Sequence, residues 1–138
     1  MRVVLDTNVL IAAAGSATGA SAWLLEQTEQ GKFSPLATTA LLLEYEDVLS
    51  RPQTQLITSR SPEELRRIFV TLAAVTEPVH IWFRYRPVLR DPGDEMVFEA
   101  AFNGFAPYII THNVRDFVGV SAFGIEVITP GEFARRYR

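Results

Sequence analysis

Three apolar residues followed by an acid, Val3-Val4-Leu5-Asp6, decide how the rest of this chain must be arranged. Two β-branched residues and a leucine read as a short strand buried on both faces, the kind found in the middle of a parallel sheet. The strand then stops at a carboxylate inside a very apolar stretch. Thr7 and Asn8 follow, and an alanine-rich run begins a helix. The carboxyl end of a central parallel strand is where open α/β sheets place their ligand sites. A carboxylate buried there without a partner is costly, so Asp6 must hold a cation, several hydrogen bonds or a proton. A simpler reading has Asp6, Thr7 and Asn8 capping the next helix, which these residue types do well. This stretch alone does not separate the two.

At 138 residues the chain is expected to form one domain, 1–138, with a substantial core. Hydrophobic residues are 48% and charged residues 21%, which fits a soluble globular protein. No apolar run approaches the length of a membrane span, so no membrane partner is expected. The first strand begins almost at once, and no signal peptide is expected ahead of it. There is no cysteine, which excludes disulfides, thiolate metal sites and cysteine nucleophiles. A cytoplasmic location is the matching expectation. Two histidines, His80 and His112, are too few for a histidine-rich metal site. The net charge of −3 argues against a surface coated in positive charge. The cations are lopsided, with twelve arginines against the single Lys32. Arginine's planar fork suits phosphates and carboxylates, although a genome-wide arginine bias explains the count equally well.

Taken in order, residues 21–30 read as a helix stopped by Gly31. Residues 33–38 read as a strand, placed near a sheet edge by Pro35. Thr38 or Thr39 can cap a helix from Ala40 to about Ser50. On it Leu41, Tyr45, Val48 and Leu49 form the apolar stripe, Glu44 and Glu46 lie on its two borders, and Asp47 points away. The wheel does not choose between the two border carboxylates. Residues 53–60 read as a polar loop. Ser61-Pro62-Glu63-Glu64 is a strong helix start, and residues 79–83 are a strand or a packed extended segment. Asp91-Pro92 starts a further helix with Asp94 and Glu95 in its first turn, near the positive end of the dipole. Tyr108-Ile109-Ile110-Thr111 is a second buried strand, ending in His112-Asn113 with Asp116-Phe117 just beyond. Residues 125–128 form a last strand, and Thr129-Pro130-Gly131-Glu132 opens a final helix with a capping box. Strands alternating with helices predict a three-layer α/β/α domain around a mostly parallel sheet.

Two strands therefore deliver acids to one end of the sheet, Asp6 after the first and Asp116 after the Tyr108 strand, while two helices add Glu44 and Asp94. Carboxylates gathered so closely repel one another, so such a cluster calls for something to neutralise it. Hard divalent cations such as Mg²⁺ or Mn²⁺ take oxygen ligands of this kind and complete their shells with water and substrate phosphate.

These residues match a family. The chain resembles the PIN-domain nucleases, and among them the VapC-like toxins of bacterial toxin–antitoxin pairs. The matching segments are Val4-Leu5-Asp6-Thr7-Asn8-Val9-Leu10, Leu43-Glu44-Tyr45-Glu46-Asp47-Val48-Leu49-Ser50-Arg51-Pro52, Arg90-Asp91-Pro92-Gly93-Asp94-Glu95, Ile110-Thr111-His112-Asn113-Val114-Arg115-Asp116-Phe117 and the closing Ile128-Thr129-Pro130-Gly131-Glu132-Phe133. Each is weak alone, but the ordered set spans nearly the whole chain. The resemblance implies a PIN-like fold and a Mg²⁺- or Mn²⁺-dependent endoribonuclease that hydrolyses phosphodiesters by in-line attack of an activated water. It implies Asp6, Glu44 and Asp94 as the core acids, resolving the wheel's ambiguity in favour of Glu44. Many members carry Asp where this chain has Asn113, and Asp116, three residues on, is the candidate for the fourth carboxylate. Asn8, Thr111 and Asn113 are expected to orient water or the carboxylates, and Asp91 to serve as a cap rather than a ligand. Arg84, Arg86, Arg90 and Arg115 flank the acids and are the candidate RNA phosphate contacts. As a toxin the chain would have RNA as substrate and a cognate antitoxin as partner. Family members often form dimers, for which Trp23, Trp82 and Phe83 are candidate interface residues. Two other readings fit the same sequence: a catalytically inactive PIN-like module that binds RNA or protein, and a different metal-dependent phosphohydrolase acting on small phosphate esters.

Overall fold

The computed structural model describes residues 1–84 and 88–138, so Arg86 lies outside the described residues. Five strands form one sheet: β1 (Arg2–Leu5), β2 (Ser34–Ala37), β3 (Glu77–Pro78), β4 (Tyr108–Ile110) and β5 (Glu126–Ile128). Their spatial order is β3-β2-β1-β4-β5, and every pairing is parallel. Among the described residues there are seven helices: α1 (Thr7–Gly15), α2 (Ala20–Glu29), α3 (Thr39–Leu49), α4 (Pro52–Thr58), α5 (Pro62–Val75), α6 (Pro92–Gly104) and α7 (Pro130–Tyr137). The chain steps from β1 to β2 to β3 in one direction. Then α6, which packs on β1, β2 and β4, carries it back across the sheet to β4. Because such crossovers are right-handed, the reversal puts α6 on the face opposite α1 and α2. The result is a three-layer α/β/α sandwich, and no single described helix is long and apolar enough to cross a membrane.

The core sits where the opening strand implies. Val3, Val4 and Leu5 in β1 and Ile109 and Ile110 in β4 are all essentially inaccessible. The α3 stripe is as the helical period demands, with Leu41, Tyr45, Val48 and Leu49 buried, Glu44 and Glu46 half-buried and Asp47 exposed. Thr38 is the cap, its side chain accepting from Leu41 N at 3.1 Å. Ser61 and Glu64 form the full reciprocal capping box of α5. In α7 only half of the expected box exists: Thr129 accepts from Glu132 N, while the Glu132 carboxylate turns to Arg135.

Two expectations are corrected. Residues 53–60 are not simply a loop, since α4 occupies Pro52–Thr58. Its pattern is inverted: Leu56 and Ile57 are exposed, whereas Thr54 and Thr58 are buried, their hydroxyls donating to Val48 O and Thr54 O at 2.6 Å each. A helix whose buried positions are threonines has no apolar period to read. The strand bearing Pro35 is interior rather than at an edge. β2 pairs with β3 only from Leu36 onward, so the missing N–H of Pro35 falls where β3 has not begun.

Candidate active site

Reversal of strand order between β1 and β4 creates the crevice where open parallel sheets bind ligands, above the carboxyl ends of the two strands. Asp6 and Thr111 are the residues that follow those strands, and they meet there. The ladder runs one step past the strands, with Asp6 N donating to Ile110 O and Thr111 N to Ile128 O, each at 3.0 Å. Asp6 is buried and its carboxylate is well supplied with donors. Oδ1 accepts from Thr7 N at 2.8 Å, and Oδ2 accepts from Thr111 Oγ1 at 2.8 Å and from Asn8 Nδ2 at 3.3 Å. Asp6 is thus both the α1 cap and the hub of the crevice, so the two readings of the opening stretch hold together. Burial pushes its carboxyl above the ordinary range, and the Thr111 and Thr7 donors pull it back, against further upward pressure from Asp116 and Asp91. Asn8 spans the crevice: its Nδ2 also donates to Thr111 Oγ1 at 3.3 Å, and its Oδ1 accepts from His112 N at 3.2 Å.

Asp94 reaches the same place from the first turn of α6. Burial, then the charges of Asp6, Asp91 and Asp116, push its carboxyl up to about 6. Asp91 caps α6 as expected, accepting from Gly93 N at 2.7 Å and Asp94 N at 3.2 Å, yet its charge also bears on Asp6 and Asp94. Asp91, Asp94 and Asp116 line a cavity of about 560 Å³ together with Arg90 and Arg115. Among the described residues neither arginine has a carboxylate within ion-pair distance, unlike Arg51, Arg60, Arg66, Arg135 and Arg136.

The structure thus brings Asp6 and Asp116 within electrostatic reach of Asp94, and of the three only Asp6 is held by Asn8 and Thr111. Asn113 joins through its backbone, its N–H donating to Thr111 Oγ1 at 3.0 Å, while the side chain is exposed. Glu44 is not among the charges acting on Asp6 or Asp94, and its carboxylate stands 3.8 Å from Arg51 Nη2. Arg84 is exposed beyond Phe83 and does not line this cavity. Two contributors escaped sequence reasoning. Glu95, read only as a first-turn acid, is buried, and its Oε1 accepts from Val88 N and Leu89 N, fixing the segment that walls the cavity. Ser21, read only as a helix residue, is buried and shares a hydrogen bond with His112.

The open, all-parallel α/β sheet carries these acids at its switch point, the place where sheets of this class bind ligands. A family model described as PIN domain matches residues 2–115, and the chain belongs to the PIN-domain family, a family of nuclease type that typically employs divalent metal ions. No curated protein matches the sequence. Among the described residues no three acidic or histidine side chains stand at the spacing of a preformed metal cage. The donor set nevertheless fits a hard divalent cation, because carboxylates that raise one another's proton affinity gain by its neutralising charge. Mg²⁺ in particular keeps most of its waters and needs only one or two protein carboxylates.

Proposed function

We propose that this protein is a divalent-metal-dependent endoribonuclease, the VapC-like toxin of a toxin–antitoxin pair. The observation that carries the reading is the crowding of acids: Asp6, Asp91 and Asp116 act on Asp94, and Asp94 and Asp116 share a cavity with Arg90 and Arg115, neither of which has an ion-pair partner among the described residues. Asp6 and Asp94 would hold Mg²⁺ or Mn²⁺, with Asp116 and Glu44 as further carboxylates. The bound cation supplies charge stabilisation at a phosphodiester oxygen and activation of water. Asn8 and Thr111 hold the Asp6 carboxylate in one orientation, so its oxygens need no rearrangement when substrate arrives. Arg90 and Arg115, which line the cavity with Asp94 and Asp116, would meet the phosphates of the bound RNA strand. Arg84 and Arg86 remain candidate RNA phosphate contacts in the same proposal. A cognate antitoxin in the same, cytoplasmic, compartment would mask this cavity, and a homodimer would use the exposed Trp82 and Phe83.

The test incubates purified protein with single-stranded and structured RNAs and matched DNAs in Mg²⁺, Mn²⁺ or EDTA, with Asp6→Asn as control for contaminating nuclease. The reading requires RNA cleavage that needs metal and is lost in the variant. Cleavage of nucleotides but not polynucleotides points instead to a small-phosphate-ester hydrolase. A folded protein that binds RNA without cleaving it in any metal is an inactive binding module, the reading that Asn113 and the acidic net charge of −3 favour.

A further inference from the structure

We propose that Ser21, on α2, is a positioning residue for Asp6, acting through His112 and Asn8. Its hydroxyl is buried on a helix that contributes no acid to the crevice. Ser21 is the second residue of α2, where no carbonyl of its own helix lies one turn back for the hydroxyl to bond. Ser21 Oγ instead meets His112 Nε2 at 3.0 Å, across 91 positions of sequence. That bond ties the exposed His112 ring to α2 and so fixes the turn after β4. From there the chain of bonds is continuous: His112 N to Asn8 Oδ1, then Asn8 Nδ2 to Asp6 Oδ2 and Thr111 Oγ1.

The middle of this chain is its weak part. Both Asn8 Nδ2 bonds are 3.3 Å long, at the outer edge of good N–H···O geometry. The third bond to the Asn8 amide, from the His112 N–H to its oxygen, is of similar length at 3.2 Å, so the amide plane depends on that donor as much as on the other two partners. If the turn shifts, the amide is free to flip, and a flipped Asn8 presents an oxygen to the Asp6 carboxylate. Asp6 would then lose a donor and gain a repulsive neighbour. Groups at this remove from a metal ligand commonly alter metal affinity or activity about tenfold or more.

For its catalytic consequence this inference rests on the metal-dependent nuclease reading, so its test has an arm that does not. In ¹⁵N spectra of the metal-free protein, the side-chain NH₂ pair of Asn8 is assigned by its loss in Asn8→Asp. Ser21→Ala and, separately, His112→Ala are expected to shift that pair and speed its exchange, with amides far from the crevice unchanged and, for His112→Ala, the Tm unchanged as well. His112 is exposed, so its variant folds even where a cavity at Ser21 harms stability. Mn²⁺ affinity should fall about tenfold in each single variant and no further in the double, because one chain of bonds is broken in all three. An unmoved Asn8 pair, or additive losses in the double variant, overturns the proposal. A moved pair with unchanged Mn²⁺ affinity overturns it as well, by reducing Ser21 to a structural role. Wild-type protein that neither binds Mn²⁺ nor cleaves RNA defeats the nuclease reading, and the Asn8 spectrum then decides the hydrogen-bond chain by itself.

Discussion

Replacing Asp94 by Asn removes a charge that the folded state disfavours, so the variant should be inactive and yet more stable. Burial and the neighbouring Asp6, Asp91 and Asp116 push the Asp94 carboxyl up to about 6 from an ordinary 3.8. Between those values the folded protein holds the proton and the unfolded chain has released it. The stability that the neutral form contributes is therefore lost as pH rises from about 4 through about 6. Taken whole, the shift is worth about 3 kcal/mol. Much of the carboxylate faces solvent, and screening brings this down to about 1.5 kcal/mol. Losing a negative charge from the first turn of α6 costs the variant about 0.5 kcal/mol of dipole interaction. What remains is about 1 kcal/mol in favour of Asp94→Asn at pH 8, shrinking toward zero at pH 4. Urea denaturation of both proteins in EDTA at pH 4, 6 and 8 measures it directly. A variant that is less stable at pH 8, or a difference that does not change with pH, refutes the electrostatic reasoning.

Thr111→Val removes the strongest side-chain donor to Asp6 and leaves Asn113 N without its acceptor. It should cost about 1–3 kcal/mol in denaturation and shift the pH midpoint of Mn²⁺ binding upward, because the Asp6 carboxyl loses the bond that most lowers it. Tyr45→Phe deletes a buried hydroxyl that donates to Leu5 O, directly beneath Asp6. It should cost about 1–3 kcal/mol while Mn²⁺ affinity, read by calorimetry, stays within twofold. Removing both Arg90 and Arg115 in an Asp94→Asn background should weaken single-stranded RNA binding in anisotropy titrations. The slope of log K against log salt should fall by about 1.4, the value for two lost phosphate contacts.

Most of the frame was legible because the elements that build it obey local rules. The buried runs at Val3–Leu5 and Tyr108–Ile110, the α3 stripe and the Ser61 capping box each have a pattern that local chemistry dictates. α4 was hidden because it buries Thr54 and Thr58 and exposes Leu56 and Ile57, reversing the usual signal. The interior place of β2 was hidden because it depends on where the two-residue β3 begins, which no local rule gives. Residue type and position beside strand ends and a helix start nominate Asp6, Asp94 and Asp116, and the fold puts the charges of Asp6 and Asp116 against Asp94. For Glu44 the wheel gives a border position without saying what lies opposite, and Arg51 is what stands beside it. Ser21 carried no signal, because its partner is supplied by a strand end far away in sequence. Glu95 had a sufficient local explanation as a first-turn acid, which concealed its hold on Val88 and Leu89.

The proposed metal centre in the crevice above β1 and β4 rests on Asp6 and Asp94. Titrating Mn²⁺ into wild-type, Asp6→Asn and Asp94→Asn protein at pH 7.5, with the free ion counted by electron paramagnetic resonance, tests it most directly. The account predicts saturable binding by the wild type that both substitutions abolish while the proteins remain folded. Equal binding by all three, or none by a well-folded wild type even with RNA present, would contradict it.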